Sequence, residues 1–280
     1  MPKHSTAPDT NDDEEYVIGR LAEIGIRAEK IASSSKQKSC DLRAADDQAR
    51  YLIEVKARRS DEAIARTLRK EGATGLMQHP MGFSPSTEKT MRLAVEQLDA
   101  IAGGEGAFKL IWYCINPQYR DGVTLTQQVI DTAYGGTNLV KMPRMGETSP
   151  IHCFFFHRSV FGTHPQLSGI VVDAGDRFTF LLNPFGARLN AFRETPLFRW
   201  FDAEPGGVVD VHALEADGAV LIADCDIDRR NTHAVLTYLK KKYALPRWGL
   251  FHLPMIHHSG YVAVPMEALS RHDMRAESRR

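Results

Sequence analysis

The sequence predicts an α/β fold, with a mixed central sheet and flanking helices. Three observations carry that expectation. Tyr51, Ile53 and Val55 alternate with Leu52, Glu54 and Lys56, the period of two that a strand requires. Lys109 to Ile115 is an almost wholly apolar run of strand length, suited to a central strand covered on both faces. Between these two segments Met91, Val95, Leu98 and Ala102 keep helical spacing, so a helix joins one strand to a later one in the manner of a right-handed crossover.

Met1 to Asp13 is polar, carries two prolines and lacks periodicity, which predicts a disordered tail. A helix follows, capped by Asp12 or Asp13, with Glu14 and Glu15 at the positive end of its dipole and Gly25 ending it. Tyr16, Val17, Leu21 and Ile24 supply its apolar face. Arg27 to Ala32 reads as a first strand, and Ser39 to Arg59 as a β-hairpin turned at Asp46-Asp47-Gln48. A helix over 61–71, a loop over 72–85 and a helix over 86–102 precede the apolar strand; Gly103-Gly104 end the last helix. In the second half the pattern suggests a helix over 121–133 and strands over 153–157, 169–173 and 219–224. It also suggests a hairpin across 171–182, a helix over 231–243 ending in Lys240-Lys241-Lys242, and strands over 249–253 and 261–264.

Composition narrows the function. The 280 residues allow one large domain or two ordinary ones, and 43% hydrophobic residues suffice for a sizeable core. Formal net charge is zero, so contact with nucleic acid must come from a local patch rather than bulk charge. Four spread cysteines without a CxxC pair exclude a zinc ribbon and a disulfide scaffold. No apolar run reaches membrane-spanning length and no apolar signal core opens the chain, so the expected location is cytoplasmic, away from membranes.

The chemistry concentrates in the hairpin. Glu54 and Lys56 share one face of their strand, and folding the hairpin about Asp47 and Gln48 sets Asp41 directly opposite Glu54. Two carboxylates at cross-strand distance repel each other unless a cation lies between them. Elsewhere Asp224-Cys-Asp-Ile-Asp228 resembles the DxD of haloacid-dehalogenase phosphatases, but too little chain follows to hold their further motifs, and a capping loop is the better reading. His152 and His157 fall on opposite faces of a regular strand, and His257-His258 sits beside a turn, which argues against shared metal ligation. There is no P-loop, GxGxxG or GxSxG.

The hairpin and its helices resemble the PD-(D/E)XK nuclease superfamily, the restriction endonuclease-like and Holliday junction resolvase-like proteins. The resemblance spans about 15–115. Asp41 matches the motif aspartate, Glu54-Val55-Lys56 the triplet, and Glu15 in Glu15-x-x-Ile18-x-x-Leu21-x-x-x-Gly25 the helix glutamate. Gln97 resembles the glutamine that some branches carry after the triplet. Cys40 stands where the family has proline. The resemblance implies an αβββαβ core over 14–145 and a further α/β region over 146–280 serving recognition, dimerisation or sheet extension. It implies a Mg²⁺-dependent or Mn²⁺-dependent nuclease acting on DNA ahead of RNA, as an endonuclease, with pairing into a homodimer. Asp41, Glu54 and Glu15 would bind metal, with the Val55 carbonyl as a further ligand; Lys56 would serve the attacking water, and Gln97 would complete the site. The alternative is an inactive nuclease-fold module that binds nucleic acid or a protein.

Overall fold

The computed structural model describes residues 10–31, 40–58, 74–80, 82–101, 104, 106–115, 122–144, 146–155, 159–175, 177–252 and 256–262. Helix α1 (Thr10–Glu23) begins within the stretch to Asp13 whose composition suggested a tail. The reason is one more turn of its inner stripe: Val17 and Leu21 are fully buried, and Asp13 continues the line almost as deeply. Gly25, at φ 77°, turns the chain out of the helix. Strands β1 (Arg27–Lys30), β2 (Leu42–Ala45) and β3 (Arg50–Arg58) follow as an antiparallel meander.

The chain then reaches β4 (Thr74–Pro80), where a loop was expected. Gly75, Pro80 and Gly82 punctuate this segment like a loop, and no local apolar period marks it as a strand. Its partner is β13 (Ile256–Val262) from the far end of the chain, paired antiparallel from Thr74↔Val262 to Pro80↔Ile256. That pairing also places His257 and His258 in a strand rather than beside a turn. The helix expected over 61–71 lies outside the described residues.

Helix α2 (Pro85–Asp99) is capped by Ser84, whose hydroxyl accepts from the Thr87 amide. It buries Met91, Ala94, Val95 and Leu98 and leads into β5 (Phe108–Ile115). β5 pairs parallel with β3, as the crossover requires. Among the described residues the order α1-β1-β2-β3-α2-β5, interrupted by β4, is the αβββαβ order expected and is consistent with a restriction-endonuclease-like core.

Helix α3 (Gly122–Tyr134) enters a hairpin of β6 (Gly136–Arg144) and β7 (Glu147–Phe154), of which only the last residues of β7 had a sequence signal. Helix α4 (Val160–Thr163) precedes β8 (Leu167–Asp173) and β9 (Phe178–Leu182), the second hairpin anticipated. Short helices α5 (Leu189–Arg193) and α6 (Pro196–Ala203) cross to β10 (Val208–Val209), and α7 (Val211–Ala216) to β11 (Val220–Ile222). Helix α8 (Thr232–Lys242), capped by Asn231 rather than by Asp226 or Asp228, is followed by β12 (Leu250–His252).

The main sheet has seven strands in the order β1-β2-β3-β5-β8-β9-β10. It is mixed, with parallel β3-β5-β8 at its centre and antiparallel pairs on either side. Leu52, Ile111, Tyr113 and Ile170 pack on one face with α2 and α3. Ile53, Leu110, Trp112 and Phe180 pack on the other with α1, α5 and α6. A second sheet, β11-β7-β6-β12, packs its own core against α8. β8, β9 and β10 thus extend the same sheet that begins at β1, while Gly146 lies in the β6–β7 turn. No described helix is long and apolar enough to cross a membrane.

Where α3 meets the second sheet, the buried Asp131 faces His152 at 2.7 Å, and His152 Nδ1 lies 2.9 Å from Asn138 Oδ1. A Cβ on Gly136 would collide with both Asp131 and His152. Gly136→Ala should therefore cost about 1–3 kcal/mol. Thermal denaturation checks this, and an unchanged melting temperature would contradict the packing.

Candidate metal centre and active site

The site is built by the register of one hairpin. Asp46 Oδ1 accepts from the Gln48 amide at 2.7 Å and the Ala49 amide at 2.8 Å, and Asp46 Oδ2 accepts from the Tyr51 hydroxyl at 2.7 Å. The Asp46 amide donates to the Ala49 carbonyl at 3.1 Å, closing the turn. Ala45 then pairs with Arg50 and Leu42 with Ile53. Continued by one residue, that register sets Asp41 opposite Glu54, as the sequence predicted. The Asp41 carboxylate accepts from the Val55 amide at 2.8 Å, and its carbonyl accepts from the Ile31 amide.

Glu54 is fully buried, a cost that an acid in this setting must offset. Lys56 Nζ bonds one of its oxygens; the other, Oε2, is buried and has no hydrogen-bond partner among the described residues. Burial, and next the Asp41 charge, push the Glu54 carboxyl up to about 7 against the pull of Lys56. Burial also raises Asp41, opposed by the Val55 amide and Lys56. Lys56 is held on its other side by Gln97 Oε1 at 3.4 Å, so the α2 glutamine joins the hairpin triad. Tyr113 is the register partner of Lys56 on β5 and is buried on the same face.

Glu15 is not brought into this group. Its side chain is 66% exposed and lies 3.0 Å from Lys30 Nζ. Glu14 is 25% exposed, and its charge is the one that reaches Asp41. The signal was present in the sequence: Glu14 precedes Val17 by three residues and flanks the buried stripe, whereas Glu15 lies off it. Cys40, beside Asp41, is buried, and burial followed by the Glu54 and Asp41 charges raises its thiol to about 12, so it is no nucleophile. Arg92, on α2, is committed to Glu88, Thr163 and His164.

No group of three or more His, Cys, Asp or Glu residues is placed to hold an ion among the described residues. The centre offers two carboxylates and one unsatisfied buried oxygen, which suits a hard cation such as Mg²⁺ that keeps several waters and needs only one or two carboxylates.

No protein-family model matches the chain, and no curated protein matches it. Among solved structures it is similar in part to Hjc, a Holliday junction resolvase from the archaeon Archaeoglobus fulgidus. The two are 21% identical over 38% of this chain and 68% of the resolvase, with a TM-score of 0.24. A superposition this loose assigns no residue a role; the site rests on the register and contacts above.

The raised pKa of Glu54 sets a pH dependence. Folding favours the protonated acid, so its contribution to stability is complete below the ordinary value of 4.5 and is lost as pH rises through about 7. Without divalent cations, wild type should lose several degrees of melting temperature relative to Glu54→Gln between pH 5 and pH 8. Parallel pH profiles would contradict the buried acid.

Proposed function

We propose that the chain is a metal-dependent nuclease that hydrolyses phosphodiester bonds, acting on DNA as an endonuclease. The observation that supports this best is the buried Glu54 carboxylate beside Asp41, with Lys56 on one oxygen and no hydrogen-bond partner among the described residues on the other. Asp41 and Glu54 would hold Mg²⁺, or Mn²⁺ in its place. The ion supplies charge neutralisation at a phosphate and an activated water.

The remaining work belongs to the chain. The Val55 amide holds one oxygen of the Asp41 carboxylate across the hairpin. Lys56 is partly exposed at the rim of the pair, where its ammonium can meet a phosphate oxygen and stabilise the charge that develops there. Gln97 positions that ammonium and, being neutral, leaves its charge intact. Of the two α1 carboxylates we assign the supporting role to Glu14, in place of Glu15.

Plasmid, single-stranded DNA and RNA incubated with Mg²⁺, Mn²⁺ or EDTA test the proposal. Metal-dependent cleavage of DNA should appear and fall by about 10²-fold or more in Asp41→Ala and in Lys56→Ala. No cleavage of any substrate, or equal cleavage by both variants, rejects it. Mg²⁺ or Mn²⁺ should also raise the melting temperature of wild type at pH 8, where the carboxyls are ionised, and leave that of Asp41→Ala little changed. A shift of the same size in both proteins would place the ion elsewhere.

A further inference from the structure

We propose that the turn and strand at 247–251, together with the end of α8, form a contact surface for single-stranded nucleic acid. The proposal rests on the nuclease reading for its biological sense, but not for its chemistry. The protein is neutral overall, yet from Arg229 to His252 there are six Lys and Arg residues and no Asp or Glu. Within that stretch Trp248 is 51% exposed and Phe251 43% exposed, in a fold that buries most of its large apolar side chains. Gly249 and Leu250 between them are buried, so the backbone is anchored while both rings face solvent.

The charges lie around the rings. Lys240 Nζ donates to the Arg247 carbonyl at 2.6 Å and sits 5.9 Å from the Phe251 ring centroid, tying the end of α8 to both aromatic positions. Lys242 is neutralised by Glu215 and Asp224, whereas Lys241 and Arg247 are exposed and form no ion pair with a described residue. β12 is also an edge strand of its sheet.

Exposed rings interleaved with uncommitted cations match the two features that hold a single strand, stacking on bases and attraction to the backbone. A duplex keeps its base faces stacked inside, so the rings select unpaired segments. An apolar protein partner would need a continuous apolar patch, whereas Lys240 lies against the Phe251 ring and Arg247 adjoins Trp248 in the chain.

The test is binding of a fluorescent oligo(dT) and a duplex of equal length to the full chain in EDTA, where cleavage cannot interfere. Wild type should bind the single strand more tightly than the duplex. Trp248→Ala and Phe251→Ala should each weaken binding about tenfold, the loss of one stacked base, while Trp248→Phe retains most of it. Lys241→Gln and Arg247→Gln should each flatten the salt dependence by about 0.7 in log–log slope. Circular dichroism establishes that each variant is folded.

Equal binding by the folded alanine variants, a preference for duplex, or no binding by wild type overturns the proposal. So does a dimer in sedimentation that these substitutions dissociate while oligonucleotide binding stays unchanged. Loss of cleavage in Lys56→Ala with single-strand binding intact supports the surface independently of the catalytic centre. Binding as expected in a protein that cleaves nothing supports the surface and rejects the nuclease.

Discussion

The turn at Asp46 governs the chemistry of this protein. One carboxylate satisfies two amides and a tyrosine hydroxyl, which leaves the hairpin a single register. Side chains alternate along a strand, so a slip of one residue would carry Glu54 and Lys56 to the α1 face and bring Ile53 and Val55 to the α2 face. The α2 face would lose its polar centre, and the α1 core would acquire a buried acid. The alternation of Tyr51, Ile53 and Val55 into the α1 core opposes the same slip from the other direction. Local turn chemistry and long-range burial thus specify one arrangement.

That arrangement stores electrostatic cost at one point. The partly buried Asp41 faces the fully buried Glu54, and Lys56 answers one of the three carboxylate oxygens left after the Val55 amide takes its share. A scaffold built for stability alone would place a neutral amide at one of these positions. The central parallel strands and the helices on both faces hold the pair in place against repulsion.

The core from α1 to β5 was legible because its signals are local. The β3 alternation, the midpoint turn, the α2 spacing and the apolar β5 each lie within a dozen or so residues, and the structure joins them in the order read. Gln97 was named by resemblance, and its amide oxygen lies 3.4 Å from Lys56 Nζ. Glu15 points off the Val17–Leu21 stripe and is exposed beside Lys30, whereas the adjacent Glu14, also paired with Lys30, flanks that stripe. β4 and β6 were not legible, and of β13 only the end at 261–262 fell within an expected strand; glycine and proline hide the period of β4 and β6, and the β4–β13 pairing joins segments distant in sequence. Asp131 and His152 likewise meet only after α3 and the β6–β7 hairpin have docked.

The pairing of β4 with β13 bears on how the chain matures. β4 leaves the ribosome between β3 and α2, yet its hydrogen-bonding partner β13 is the last described segment to emerge. The core hairpin can close on itself while the polypeptide is still being made; the β4–β13 ribbon cannot. During that interval β4 is an unsatisfied strand edge, the kind of surface that chaperones hold and that neighbouring nascent chains can capture. Closure of the β4–β13 ribbon therefore follows the point at which the β2–β3 hairpin can already have formed.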